Sequence, residues 1–477
     1  MKLTNHKSIK FDRFLPMYNW IYPLSGKESN RFTNAAAANV FAELHPAKSR
    51  AIYVHIPFCE TICSFCPFVR DGLRDNLYID EYVQALLKEM ELKAKFDTLT
   101  SVPIGSIFFG GGTPSLLEPK HIRLIGQKLH QYFDLSQLQE FSFEFEVKSV
   151  TPDRIEALRE IGVTHARFGL QTFSPKYRDI FELTSSIEQV HLAKDLLATS
   201  FPYVSCDMIY AINGQTEIDL FNDITAVSEL KLNNIDFYPI NNLATQTKLH
   251  RKFRKMSMPP TSGLTKHFMN LFIREAMREN GYLPHNGHGY VKVDAEELEN
   301  NPVVTNQYSF AYHEHVYSYP NYDLLGFGTN AVSSFSGFSV FNPSSRNEYM
   351  ASLKKGELVQ KVGEHDLSLD ACRPLALALP YHGRIEKNWV SWNKMPEDIN
   401  LKYNQLVEAR LIEENADYIS LTRDGWNWYT NVMYYLLPNL EQKTVTSLIH
   451  QGYNNSARDI EPSGLEDFNF SGGWSDA

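Results

Sequence analysis

YVHIPFCETICSFCPF, residues 53–68, decides how this chain is read. Cys59, Cys63 and Cys66 stand in C-x3-C-x2-C spacing, directly after an apolar run from Ala51 to Ile56 that reads as a strand. Three thiolates on one short loop can hold three irons of a cubane [4Fe–4S] cluster and leave the fourth open to a ligand. A four-cysteine site would be closed and would only store or relay electrons. Structural zinc wants four ligands, usually as paired cysteine motifs. The chain has five cysteines, an odd number, which argues against a disulfide framework. Cys206 and Cys372 stand alone and read as buried core thiols.

With 477 residues, 43% of them hydrophobic, the chain can bury a large core and by length divides into two or three domains. A formal charge of −10 and a pI near 5.9 speak against a nucleic-acid-binding surface. No apolar run approaches the roughly 18 residues that span a bilayer. The amino terminus lacks the apolar segment of a secretory signal. Iron-ligating thiolates must stay reduced, so a cytoplasmic setting is expected.

From Ala51 to about Pro239, short apolar strands alternate with helical stretches. Strands are expected at 51–56, 106–112, 140–147, 165–173, 203–212 and 234–240, with helices at 80–96, 119–133 and 151–162 between them. Such alternation predicts an α/β fold with a parallel sheet and right-handed crossovers. A further helix is expected at 263–280, followed by an irregular polar-aromatic region. Residues 400–437 read as helix, short hairpin and helix, as in a small winged-helix module. Beyond Pro438 periodicity fades, and the end, SGGWSDA (471–477), is expected to be mobile.

On a parallel sheet, ligands sit at the carboxyl ends of the strands. The cysteine loop follows the first strand and GGGTP (110–114) follows the second, so both reach one edge. Glu144 or Glu146, Arg167, Gln171 and Asp207 bring polar groups to that same edge. A carboxylate there can bind an ammonium or ribose hydroxyls, and a glutamine offers both donor and acceptor.

Taken together, YVHIPFCETICSFCPF, FFGGGTPS, SFEFEV, RFGLQTFSPKYR, CDMIYAINGQT, IDFYPI and DLLGFGTNAVSSFSG resemble the radical S-adenosylmethionine (SAM) superfamily. The resemblance is to its oxygen-independent coproporphyrinogen III oxidase-like branch, and it runs over roughly residues 51–435 in family order. It implies a partial (β/α)6 barrel over 51–285, an α+β extension over 286–375 and a winged-helix-like domain over 376–438. An amino-terminal arm (1–50) and a tail (439–477) flank them. It also implies that Cys59, Cys63 and Cys66 ligate a [4Fe–4S] cluster whose open iron is chelated by SAM. Tyr53 would reach that SAM, Phe65 would lie near the adenine, and Gly111, Gly112 and Thr113 would support the methionyl end. Glu144, Gln171 and Asp207 would hold its polar parts. The cluster electron would come from a donor such as flavodoxin or ferredoxin. The expected protein is a monomer that engages neither nucleic acid nor membrane.

Three departures from the oxidase pattern shape the finer expectation. Cys66 is followed by Pro67-Phe68 where the oxidases continue C-G-C. Leu183 occupies the place of a SAM-contacting arginine, leaving Arg178 or another group to substitute. The strand ending is Ala211-Ile212-Asn213 rather than glycine-proline. Asn330 and Ser333 keep a segment that in the family borders a second SAM. The expected reaction is therefore C1 transfer from a second SAM to an sp2 carbon of an aromatic, heteroaromatic or tetrapyrrole substrate, as methylation or cyclopropanation. Coproporphyrinogen decarboxylation and a haem-binding chaperone are the alternatives. C1 transfer needs a general base. His285, His288, His313 and His315 read first as solvated loop residues, then as that base, with His313 and His315 the candidates, and last as metal ligands.

Overall fold

Alternation along six strands, apolar on one face and polar or aromatic on the other, builds the centre of the molecule. In the computed structural model these are β1 (Ser49–Ile56), β2 (Ile104–Gly111), β3 (Glu140–Phe145), β4 (His165–Gln171), β5 (Tyr203–Tyr210) and β6 (Asn234–Pro239). They lie side by side in chain order, every neighbouring pair parallel. The structure describes residues 29–66, 77–240, 246–304, 311–317 and 319–454, with short pieces at 4–6, 9–11, 15, 22–23, 25 and 71–72. The ending SGGWSDA and the Pro67-Phe68 departure lie outside the described residues.

Successive strand residues point to opposite faces. Ile52, Val54, Phe109, Phe141, Phe143, Phe168, Cys206, Met208 and Phe237 enter one apolar core with the crossover helices. Each large side chain buried there contributes about 1.5–3 kcal/mol. The alternate set, Tyr53, His55, Phe108, Ser142, Glu144, Arg167, Asp207 and Asp236, lines the lumen instead. Helices α1 (Leu77–Lys93), α2 (Pro119–Tyr132), α3 (Pro152–Glu160), α4 (Pro175–Phe181), α5 (Ile187–Ser200) and α6 (Glu217–Glu229) cross between strands. This is the α/β, mostly parallel architecture expected of a partial barrel.

The sheet does not stop at the barrel. Beyond β6 come β7 (Tyr282–Pro284) and β8 (Gly289–Lys292), β8 antiparallel to β6 and β7 antiparallel to β8. On the other side β9 (Tyr322–Phe327) runs parallel to β1, and antiparallel strands extend the sheet to thirteen. A buried bidentate pair fastens that junction: Arg50 donates from Nε to Asp323 at 2.6 Å and from its terminal nitrogen at 2.7 Å. Lys93 of α1 donates to the carbonyl of Gly326 at 2.6 Å.

A second core joins Ile9, Phe11 and Tyr22 of the arm to the carboxyl third. There, helix Glu397–Glu408 precedes a hairpin, Ile412–Glu414 with Tyr418–Leu421, completed by Arg384–Glu386 as a third strand. Two short helices, Arg423–Asn427 and Tyr429–Tyr435, follow. The expectation that order fades after Pro438 is corrected: Asn439–Asn454 forms a helix, and its Glu441 is fully buried and paired with Arg31. One acidic side chain meeting a distant cation anchors this helix, which periodicity alone does not reveal.

Candidate active site

β1 delivers the cysteine loop to the carboxyl edge of the barrel. Ser64 fixes it by donating from its backbone to the Phe181 carbonyl (3.2 Å) and from its hydroxyl to the Ile180 carbonyl (2.7 Å). Gln246 donates its side-chain amide to the carbonyl of Phe65. No disulfide forms, and Cys59, Cys63 and Cys66 face one cavity of about 220 Å³. Phe65, Gly111, Gly112, Thr113, Glu144, Gln171 and Asp207 line the same cavity, so the loops and ends of the first five strands meet at one space. Thr113 Oγ1 lies 3.6 Å from Cys59 Sγ.

Two close approaches need glycine. A Cβ on Gly112 would stand 2.6 Å from the Phe58 carbonyl oxygen, a backbone atom that cannot swing aside. A Cβ on Gly169 would meet the Gln171 amide at 2.4 Å. Gln171 itself adopts φ 72°, a left-handed bend rare for such a residue, which turns its amide back across Gly169.

The cavity is acidic. Burial pushes the Glu144 carboxyl up to about 8, helped by the nearby Asp207. Burial also raises Glu146, and it raises Asp207 to about 6 against the pull of Arg167. A carboxyl kept protonated by want of a cation, as that of Glu144 is, makes a good seat for a ligand carrying ammonium and sulfonium charges. Among the described residues no three His, Cys, Asp or Glu converge on one ion. A cubane does not require that convergence, because each iron takes its own thiolate. The donors present fit a cluster and SAM.

Deeper in the lumen the chemistry changes. Arg167 bridges Asp207 (3.0 Å) and Asp236, which sequence reading did not single out. Burial opposes ionisation of Asp236, yet Arg167 and the neighbouring His288 and His285 hold it well below the usual carboxylate range. Asn234 donates to Asp236 Oδ1 at 3.1 Å. His285 and His288 at the β7–β8 turn, expected first as solvated, are buried at 8% and 3% exposure. That expectation is corrected: His288 meets the Tyr381 hydroxyl at 3.0 Å, and Asn286 sits between His285 (3.1 Å) and His313 (3.3 Å). The ring of His313 lies 6.4 Å from that of His285 and 6.3 Å from that of His288. Burial lowers His285 to about 3 and His288 to about 4, and holds His313 well below its ordinary value, so all three are neutral near pH 7.

Helix Ala311–Val316 separates the two base candidates. His313 joins the buried histidines, whereas His315, two residues on, points to the amino-terminal end of the barrel. There its Nδ1 donates to the Ala311 carbonyl (2.6 Å), leaving Nε2 to accept from Ser49 (2.8 Å). His315 as a base beside the cavity is thus corrected, since residues two apart on a helix do not share a face. Tyr53 and Asn330 do not line the cavity. Tyr53 sits in the lumen with its hydroxyl 3.0 Å from His55 and its ring 6.3 Å from that of Tyr312. Asn330 turns the loop after β9 with φ 58° and donates its backbone N–H to Pro343. Arg178 does not replace the arginine missing at Leu183 by reaching inward: it donates to the carbonyls of Thr172 (2.9 Å) and Ser185 (2.5 Å), bracing the loop on which Leu183 lines the cavity.

Fold and site together define a cluster-bearing parallel barrel. Residues 53–225 match the family model described as the radical SAM superfamily, so the barrel carries a radical SAM domain, and the cofactors of that family are a [4Fe–4S] cluster and SAM. Its homologues include a coproporphyrinogen III oxidase (anaerobic 1) of Cereibacter sphaeroides, 24% identical over 73% of this chain and 76% of that protein. The haem chaperone HemW of Lactococcus lactis is 24% identical over 81% of this chain and 96% of its own length. Anaerobilin synthase of Escherichia coli O157:H7 is 29% identical over 41% of this chain and 44% of that enzyme. In fold, the chain matches coproporphyrinogen III oxidase (HemN) of Escherichia coli with a TM-score of 0.72, at 19% identity over 87% of this chain and 96% of that one. No helix among the described residues is long and apolar enough to cross a membrane.

Proposed function

We propose that this chain is a radical SAM enzyme that acts on a tetrapyrrole, and that oxidative decarboxylation of a coproporphyrinogen-type substrate is its first reading. The observation that carries the enzymatic part is the single cavity shared by three cysteines, the Gly111–Thr113 turn and the buried carboxyls of Glu144 and Asp207. The substrate class rests on the relatives named above: the oxidase favours decarboxylation, and the haem chaperone favours a carrier, over the C1 transfer expected from the departures in sequence. When bound, the cluster and SAM supply a 5′-deoxyadenosyl radical that abstracts hydrogen. The chain's residues do the rest: the cysteines anchor, Glu144 and Asp207 neutralise the ligand's cations, and Gln171 offers donor and acceptor to its polar groups. Arg167 keeps Asp207 ionised at the floor.

A second reading, C1 transfer, is favoured by one feature, the neutral imidazoles of His285, His288 and His313 in the lumen. A neutral imidazole can accept the proton that such a transfer releases. Anaerobic reconstitution followed by SAM, dithionite and coproporphyrinogen separates the readings. Deoxyadenosine with carbon dioxide supports decarboxylation, and deoxyadenosine with S-adenosylhomocysteine supports C1 transfer. Neither product, with stoichiometric haem binding, supports a carrier.

A further inference from the structure

On a chain of net charge −10, one helix departs sharply from the average. Helix α7, Thr247–Lys255 (TKLHRKFRK), carries five basic residues and no acidic one in nine positions. Its inner side buries Leu249 and Phe253 in an apolar cluster against which Phe65 of the cysteine loop also packs. Lys248, Arg251, Lys252 and Lys255 fall at i, i+3, i+4 and i+7, so they form one stripe. Lys248, Arg251, Arg254 and Lys255 are exposed, and Met256 beside them is 46% exposed.

This helix is joined to the cysteine loop by shared hydrogen bonds. The Ile180 carbonyl accepts from Ser64 Oγ of that loop (2.7 Å) and from Lys252 Nζ of α7 (3.0 Å). Gln246, the residue capping α7, holds the Phe65 carbonyl, one residue before Cys66. Lys248 and Lys252 pair with Glu182 on the cavity rim at 2.5 and 3.1 Å. A basic stripe thus lies at the place where an electron must enter.

We infer that the exposed face of α7 is the docking surface for an acidic one-electron carrier protein, which reduces the cluster through the Ser64–Cys66 side of its loop. The inference rests on the cluster reading only for the need of an electron. In the transfer the carrier loses one electron and the cluster gains it, with no bond made or broken. Opposite charge steers such encounters and sets their salt dependence. A nine-residue helix spans about 14 Å, the footprint of a small protein contact, whereas a nucleic acid engages a longer track of phosphates.

The test uses flavodoxin, a small acidic carrier, and the full reconstituted protein. Binding of oxidised flavodoxin is measured without SAM at about 50 mM and about 500 mM salt. Deoxyadenosine formation is then driven by reduced flavodoxin or by dithionite. Arg251→Glu combined with Lys255→Glu is expected to weaken binding about tenfold, remove most of its salt dependence and slow the flavodoxin-driven rate similarly. The dithionite-driven rate should stay within about twofold, and Lys354→Glu with Lys355→Glu at the end of helix Arg346–Lys354, which packs on α1, should change none of these. Unchanged flavodoxin binding in the α7 variant overturns the proposal. So does an equal loss in the distant control, or preferential capture of an oligonucleotide or anionic vesicles by the wild-type protein. Salt-sensitive binding through α7 in a protein that never yields deoxyadenosine upholds the docking surface while the cofactor reading fails.

Discussion

The upper and lower lumen are built from the same strands and bury charge in opposite ways. Above, Glu144 has no ion pair among the described residues and is pushed up to about 8 by burial. Below, Asp236 is no less buried, yet Arg167 holds it ionised. The upper storey leaves Glu144 waiting for a cation from outside, while the lower one satisfies its own charges and serves as a fixed floor. A binding site and a scaffold differ here by a single guanidinium.

Four substitutions break or sharpen that contrast. Cys63→Ala should abolish deoxyadenosine formation while the far-ultraviolet dichroism stays native, because the cysteine loop is held by Ser64 and Gln246 as well. Residual turnover measured by chromatography would count against the cluster assignment. Arg167→Leu strands two buried carboxylates and should cost about 3–5 kcal/mol in denaturant unfolding. A loss under about 1 kcal/mol would mean that the lower storey is not charge-locked.

Glu144→Gln tests the upper storey. The raised acid contributes stability that is complete below its ordinary value near 4.5 and is lost as pH rises through about 8. Replacing it should therefore stabilise the ligand-free protein by up to about 4 kcal/mol at pH 8 and leave it little changed at pH 4.5. The same change should weaken SAM about tenfold by calorimetry. Wild-type affinity should rise with pH until about 8, as the proton that must leave becomes easier to remove. Smallest of all, His315→Gln should cost about 1 kcal/mol of stability through the Ser49 contact and leave SAM cleavage within about twofold.

The upper storey was legible because its parts are contiguous motifs or strand ends. C-x3-C-x2-C and GGGTP each lie within one loop, and Glu144, Gln171 and Asp207 follow from counting along strands. The lower storey was not. His288 and Tyr381 meet across 93 positions, and His313 arrives on a six-residue helix with no periodicity to announce it. Asp236 was within reach, since alternation in NIDFYPI places it on the lumen face with Asn234 and Tyr238. Leu183 misled in a different way: the loop keeps its position through Arg178, which acts on backbone carbonyls and leaves no mark in the motif.

The pairing of β9 with β1 reaches into how the gene can be cut. Tyr322 to Phe327 runs beside Ser49 to Val54, and the guanidinium of Arg50 is sealed against Asp323. Any fragment ending before residue 322 would lay bare a long apolar strand edge and strand a cation in the interior. Excising residues 49–240 as a minimal catalytic unit should therefore yield insoluble material, and homologue shuffling should respect Arg50 and Asp323 as one inherited piece.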